Sequence, residues 1–172
     1  KIMEDILLNL NSGKYVIYSP DADLIILSSI MINKLRESDM YILRFDQQNL
    51  KYDIIDINIL NSNIFNYIGK QDTNKKNILD DVMFIFTMFG NDFVHKIESI
   101  DAKKDFEILL DSYKKYLSLK NTYIIEENKI IYSNLKKFIS ILSEQEKDLM
   151  NDVYLIRHYK NYNHLKSQFK NI

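Results

Sequence analysis

Apolar residues in the first ten positions, Ile2, Met3, Ile6, Leu7 and Leu10, recur near helical spacing, and Asn11-Ser12-Gly13 follows with a helix-ending glycine. A helix running into a turn is the prediction for this segment. Tyr15-Val16-Ile17-Tyr18 is a short apolar run that leads into Ser19-Pro20-Asp21, so it reads as a buried strand ending in a loop. A mixed apolar pattern of helical length covers Ala22 to Ile32, a second strand is predicted over Met40 to Arg44, and a third over Tyr52 to Ile57. Ile59 to Ile68 suits a helix, and the polar stretch Gly69 to Lys76 suits a loop or flap. Asn77 to Phe89 is almost wholly apolar past Asp81, too long for a strand, and predicts a buried helix ending at Gly90. Phe106 to Leu119 is amphipathic, Tyr123 to Tyr132 suits a short hairpin or irregular chain, and Asn134 to Met150 carries Leu135, Phe138, Ile139, Leu142 and Leu149 near one face.

Strand and helix alternate in the first part, which favours an α/β fold that becomes mainly helical in its C-terminal half. No internal repeat or linker-like stretch interrupts the chain.

Composition narrows the function classes. With 172 residues, 46% of them hydrophobic, the chain can bury a sizeable core. Lys and Arg total 23 against 24 Asp and Glu, a net charge of -1, so any contact with a polyanion must be local. The absence of Cys excludes disulfides, thiolate zinc sites and a Cys nucleophile, and three His are too few for a His-rich metal site. No run approaches the roughly 18 apolar residues of a membrane helix. We expect a soluble, intracellular protein without membrane association, in the cytoplasm or the nucleus. The start at Lys1-Ile2-Met3 also leads us to expect further chain upstream.

The chemistry-bearing feature is Ser19-Pro20-Asp21-Ala22-Asp23, which delivers two carboxylates just past the C-terminal end of a predicted strand, where ligands collect in open α/β sheets. Two oxygen-donor groups two residues apart across a turn suit Mg²⁺ or Mn²⁺. The same residues also suit a helix start, with Asp21 capping backbone N–H groups and Asp23 adding first-turn charge. Gly90-Asn91-Asp92-Phe93 places a further carboxylate at the end of the apolar helix, where burial would be costly without a partner or metal; an exposed turn is the alternative.

The stretches Tyr15-Val-Ile-Tyr-Ser-Pro-Asp-Ala-Asp-Leu-Ile25, Tyr41-Ile-Leu-Arg44, Tyr52-Asp-Ile-Ile-Asp-Ile57 and Leu79-Asp-Asp-Val-Met-Phe84 with Gly90-Asn-Asp-Phe93, in that order, resemble the XRN 5′-to-3′ exoribonucleases. The D-x-D and G-x-D patterns also mark the wider flap-endonuclease and PIN-like superfamily. The likeness runs from Lys1 to about Leu117, with a fainter echo through Leu149. It implies a PIN/FEN-like nuclease core with a central, mostly parallel sheet: residues 1–117 as the C-terminal portion of that core and 118–172 as a mainly helical extension packed on it.

The resemblance further implies a two-metal Mg²⁺ or Mn²⁺ site that removes nucleotides one at a time from 5′-monophosphorylated single-stranded RNA. Asp21 and Asp23 match the family's D-x-D ligands and Asp92 the acid of its GND motif, so these three are the expected catalytic and metal-binding residues. Asp80 and Asp81 read as helix N-terminal acids, and Asp53 and Asp56 as edge or turn residues.

Two departures limit the likeness. Val94-His95-Lys96 follows the GNDF motif where the family has Leu-Pro-His, so no role passes to His95, which reads as a surface or supporting residue. The family also places G-E-G-E-H immediately before a K-I-M triplet, and its first catalytic Asp and 5′-phosphate pocket farther upstream. The expected partner is therefore the N-terminal half of the nuclease core, on the same polypeptide or a separate chain. A structure-specific DNA nuclease and a non-catalytic remnant of the fold are the alternatives.

The segment Arg157 to Lys166 interleaves basic residues with Tyr159 and Tyr162, suiting either phosphate and base contacts or a solvated helix end. Lys114-Lys115 and Lys136-Lys137 read as exposed faces.

Overall fold

The computed structural model describes residues 2–9, 12–35, 38–69, 75–92, 94–97, 100–101 and 105–145. Contacts group the chain into two units: residues 1–87 with 123–130, and residues 88–122 with 131–172. The hairpin that follows the second unit's first helix belongs to the first unit.

In the first unit, α1 (Ile2–Asn9) precedes β1 (Lys14–Tyr18), α2 (Asp23–Ile32), β2 (Asp39–Asp46), β3 (Lys51–Asp56), α3 (Ile57–Ile68) and α4 (Lys75–Phe86). The strands form a sheet in the order β1-β2-β3. β1 runs parallel to β2, with Ile17 opposite Ile42, while β3 runs antiparallel, with Ile42 opposite Ile55. The sheet is therefore mixed rather than mostly parallel, because β2 and β3 are consecutive strands joined by a tight turn that reverses the chain. Asp46 holds that turn by accepting the N–H groups of Gln48 and Asn49, at 2.9 and 3.2 Å. The Asn49 side-chain amide also donates to Asp46 Oδ2 at 2.6 Å, and this bond first, with the two backbone ones, holds the Asp46 carboxyl below its ordinary value.

The strand residues alternate in burial. Ile17, Met40 and Ile42 face inward and pack with Met31, Ile32 and Leu35 of α2 and its C-terminal turn and with Ile57 of α3. Asp56 caps α3 by accepting the N–H of Ile59 at 3.0 Å.

α4 runs straight into a 3₁₀ turn, Thr87–Phe89, as the apolar run predicts. Asp80 and Asp81 correct the sequence reading, since α4 begins at Lys75 and both acids sit mid-helix. Asp81 is fully buried and accepts the N–H groups of Ile124 and Ile125, at 2.8 and 2.7 Å. Those residues open the hairpin of β4 (Ile125–Glu126) and β5 (Lys129–Ile130), whose turn residues Glu127 and Asn128 both adopt positive φ.

The second unit contains α5 (Phe106–Lys120) and a helix over residues 132–145, here α6. Tyr113, Tyr116 and Phe138 are fully buried in mutual ring contact, with centroids 6.1 to 6.4 Å apart. Lys114, Lys115, Lys136 and Lys137 lie on exposed faces, and Lys115 pairs with Glu144. The basic, aromatic segment around Tyr159 and Tyr162 lies outside the described residues, as do residues 70–74 of the expected flap. Among the described residues no helix is long and apolar enough to cross a membrane.

Candidate functional site

β1 ends at Tyr18, but the pairing continues one residue farther, where the N–H of Ser19 donates to the carbonyl of Leu43 at 3.0 Å. The chain then turns through Pro20. Arg44 of β2 donates from Nη2 to the Pro20 carbonyl at 2.9 Å, fixing the loop against the neighbouring strand. Ser19 Oγ accepts the N–H of Asp21 at 3.1 Å, and Asp21 Oδ1 accepts the N–H of Asp23 at 2.9 Å. Asp23 is the first residue of α2.

These bonds put Asp21, which is exposed, and Asp23, which is half-buried, on one turn at the C-terminal end of the parallel strand pair. Asp21 lies one residue before the N-cap position of α2, Ala22, so its bond to the Asp23 N–H braces the turn that enters the helix rather than capping it. That bond takes one lone pair of one oxygen and leaves the carboxylate further acceptor capacity.

Asp92 sits in the second unit on a loop built by its two predecessors. Gly90 has φ +87°, and a Cβ there would lie 2.7 Å from Lys96 Cβ and 2.8 Å from its backbone nitrogen. Only glycine lets the returning chain approach so closely. Asn91 then closes the turn: its side-chain oxygen accepts the N–H of Val94 at 2.8 Å, and its own N–H donates to the Val94 carbonyl at 2.9 Å. The N–H of Ile97 donates back to Met88 at 3.0 Å.

Asp92 is exposed, which is the exposed-turn alternative and not a buried acid at a helix end. The 3₁₀ turn and Gly90 bring the chain out before the carboxylate is reached. His95 is exposed on the same loop.

Asp21 and Asp23 are hard oxygen donors, the chemistry that Mg²⁺ and Mn²⁺ select, and an exposed carboxylate is reachable by a hydrated ion. Among the described residues no group of three or more His, Asp or Glu side chains is arranged to hold a metal ion. The D-x-D turn is therefore a partial donor set, chemically suited to such an ion but not a cage.

Two residues with structural consequence escaped the sequence reading. Arg44 appears in the sequence as one basic residue of a strand, and only the parallel pairing brings it beside Pro20. Asp81 looks like its neighbour Asp80, yet Asp80 is half-buried and lines a cavity of about 350 Å³ beside Ile30, Lys34, Lys76 and Met83. Burial pushes the Asp80 carboxyl above its ordinary value, against the opposing pull of Lys76 and Lys34.

Comparison with known proteins adds two findings. Residues 72–171 match the family model described as the Xrn1 helical domain. A protein of Acanthamoeba polyphaga mimivirus, named "Putative 5′-3′ exonuclease R528", is 36% identical over 171 residues, covering 88% of this chain and 26% of that relative. The chain thus spans about a quarter of the length of the curated relative it matches.

Proposed function

From the premise that this chain belongs to the XRN family, we propose that it is the downstream part of the catalytic core of a 5′-to-3′ exoribonuclease. In this reading the three-stranded sheet and its helices are a portion of a PIN/FEN-like nuclease core. Asp21, Asp23 and Asp92 are its contribution to the catalytic carboxylates. The observation that carries the reading is the Ser19–Asp23 turn, where Arg44 and Ser19 hold two carboxylates at the C-terminal end of the parallel strands.

Asp21 and Asp23, with Asp92 and acids from outside this chain, would hold Mg²⁺ or Mn²⁺. When bound, such ions supply Lewis-acid polarisation of the phosphoryl oxygens and activation of water for in-line displacement. The chain's own residues supply position and charge. The Arg44 and Ser19 bonds fix the Asp21 backbone, and the Asp21–Asp23 bond sets the orientation of the first carboxylate before any ion arrives. Gly90 and Asn91 do the same for Asp92. The substrate is 5′-monophosphorylated single-stranded RNA.

Asp21→Ala and Asp92→Ala, each made in the full-length exonuclease, test the reading. Release of 5′ nucleotides from 5′-monophosphate RNA in Mg²⁺ or Mn²⁺ should fall by at least about a thousandfold, with the unfolding midpoint unchanged. Undiminished activity in either variant overturns that residue's assignment. Faster cleavage of branched DNA than of single-stranded RNA by the parent protein would replace the substrate class.

A further inference from the structure

One face of the β1-β2-β3 sheet is covered by α2 and α3, and among the described residues no helix packs on the other. Most outward residues of the three strands are apolar or aromatic: Val16 and Tyr18 on β1, Tyr41, Leu43 and Phe45 on β2, Tyr52 and Ile54 on β3. Tyr18, Tyr52 and Ile54 keep 62, 60 and 69% of their surface exposed. The register makes them contiguous, since Leu43 lies between Tyr18 and Ile54, and Phe45 is opposite Tyr52. Tyr52 contacts the rings of Phe45 and Tyr18, at 5.1 and 6.2 Å.

A sheet face left to water in a mature fold is ordinarily polar, and a parallel strand pair ordinarily has both faces covered. An apolar patch of this kind marks an interface. Its charge pattern selects the occupant. Exposed tyrosines and phenylalanines can stack bases, but single-stranded nucleic acid also needs basic residues along the backbone path. Here the outward charges are Lys14, directly opposite Asp39, and Asp56, which is engaged as the α3 cap. The outward charges sum to -1, which disfavours a polyanion, and the rest of the face fits apolar side chains.

We infer that this sheet face is the docking surface for a second layer of the same exonuclease, formed by apolar helix faces from polypeptide outside these 172 residues. The matched relative has about three quarters of its length beyond the aligned region, enough to supply such a layer. The inference needs family membership but not the metal chemistry, so it can stand or fall independently of catalysis.

Hydroxyl-radical footprinting of the wild-type full-length exonuclease, read by peptide mass spectrometry, tests it without any substitution. Tyr18, Phe45 and Tyr52 should be modified at least about tenfold more slowly in the native protein than in the urea-unfolded chain, matching the buried Tyr113 and Tyr116. Modification of Tyr18 and Tyr52 at more than about half the unfolded rate, as their exposure here would give, overturns the inference. Protection that appears only on adding 5′-monophosphate RNA assigns the face to nucleic acid instead. Protection that is lost on dilution assigns it to a second copy. Ile54→Asp in the full-length protein gives a second readout: it should lower the unfolding midpoint if the face is covered and leave it unchanged if it is not. Neither readout depends on Asp21 or Asp92, so loss of the catalytic reading leaves this result intact.

Discussion

The carboxylate of Asp81, buried in the middle of α4, accepts the backbone N–H of Ile124 at 2.8 Å across 43 positions of chain. Its other oxygen takes the N–H of Ile125 at 2.7 Å, so one side chain satisfies two donors at the start of the β4–β5 hairpin. Removing it leaves both donors without this acceptor. Asp81→Ala should therefore destabilise the full-length protein by about 2–4 kcal/mol, measured by urea unfolding. Asp81→Asn should cost nearly as much, because an amide brings a donor as well as an acceptor to a place with two donors.

Asp80, one residue earlier, should behave in the opposite sense. Burial raises its carboxyl above the ordinary value of 3.8, so the folded state binds the proton more tightly than the unfolded chain does. The stabilisation this gives is fully present below the unfolded value and is lost as pH rises through the raised folded one. At pH 7 the charged group opposes folding. Asp80→Asn should leave stability at pH 7 unchanged or raise it by under about 1 kcal/mol, since the half-buried side chain keeps part of its contact with water. Thermal melts across pH should show the difference from wild type vanishing toward about pH 4.

If Asp21 is a catalytic carboxylate as proposed, Arg44 acts as its positioning residue through the bond to the Pro20 carbonyl. Arg44→Ala should slow 5′-nucleotide release by about ten- to a hundredfold while costing little stability. The concentration of Mn²⁺ needed for half-maximal activity should rise. Arg44→Lys should restore only part of the rate, because an ammonium lacks the planar fork that reaches past the strand. A purely structural role would lower the unfolding midpoint and leave the metal requirement alone.

Gly90 should tolerate no side chain. The Cβ of Gly90→Ala would meet the backbone of Lys96 at under 3 Å and require φ of +87° from a residue that disfavours it. We expect a stability loss of about 1–3 kcal/mol and a disproportionate loss of exonuclease activity, at least about tenfold, as the Asp92 loop shifts. Asn91→Ala should have the same signature in milder form, through loss of its bond to Val94. Paired urea-unfolding and rate measurements on each variant check both effects.

The local elements were legible in the sequence because short-range periodicity and turn chemistry encode them. The apolar run past Asp81 predicts α4, and the Tyr15–Tyr18 strand, the turn after it and the Phe106 helix lie where their patterns place them. The two loops that present Asp21 and Asp92 were legible for the same reason, since their bonds run mostly between residues two to four apart. Strand direction was not. Nothing in the Tyr52–Ile57 pattern states that β3 turns back on β2, because pairing is decided by the turn at Asp46 together with burial of Ile42 and Ile55 on one side.

The sequence by itself determined the elements, the D-x-D and GND loops and the family likeness, all properties carried by near neighbours or by ordered motifs. Only the tertiary structure separated Asp81 from Asp80, because two adjacent acids on one helix differ only in what lies across from them. Only it brought Arg44 to Pro20, which required parallel pairing of strands separated by a helix. It also decided that Asp92 lies in solvent rather than at a buried helix end, since the exit of the chain at Gly90 depends on the close return of Lys96. And among the described residues it left one mostly apolar sheet face uncovered, which alternation along each strand permits but cannot reveal until the layer on the opposite face is in place.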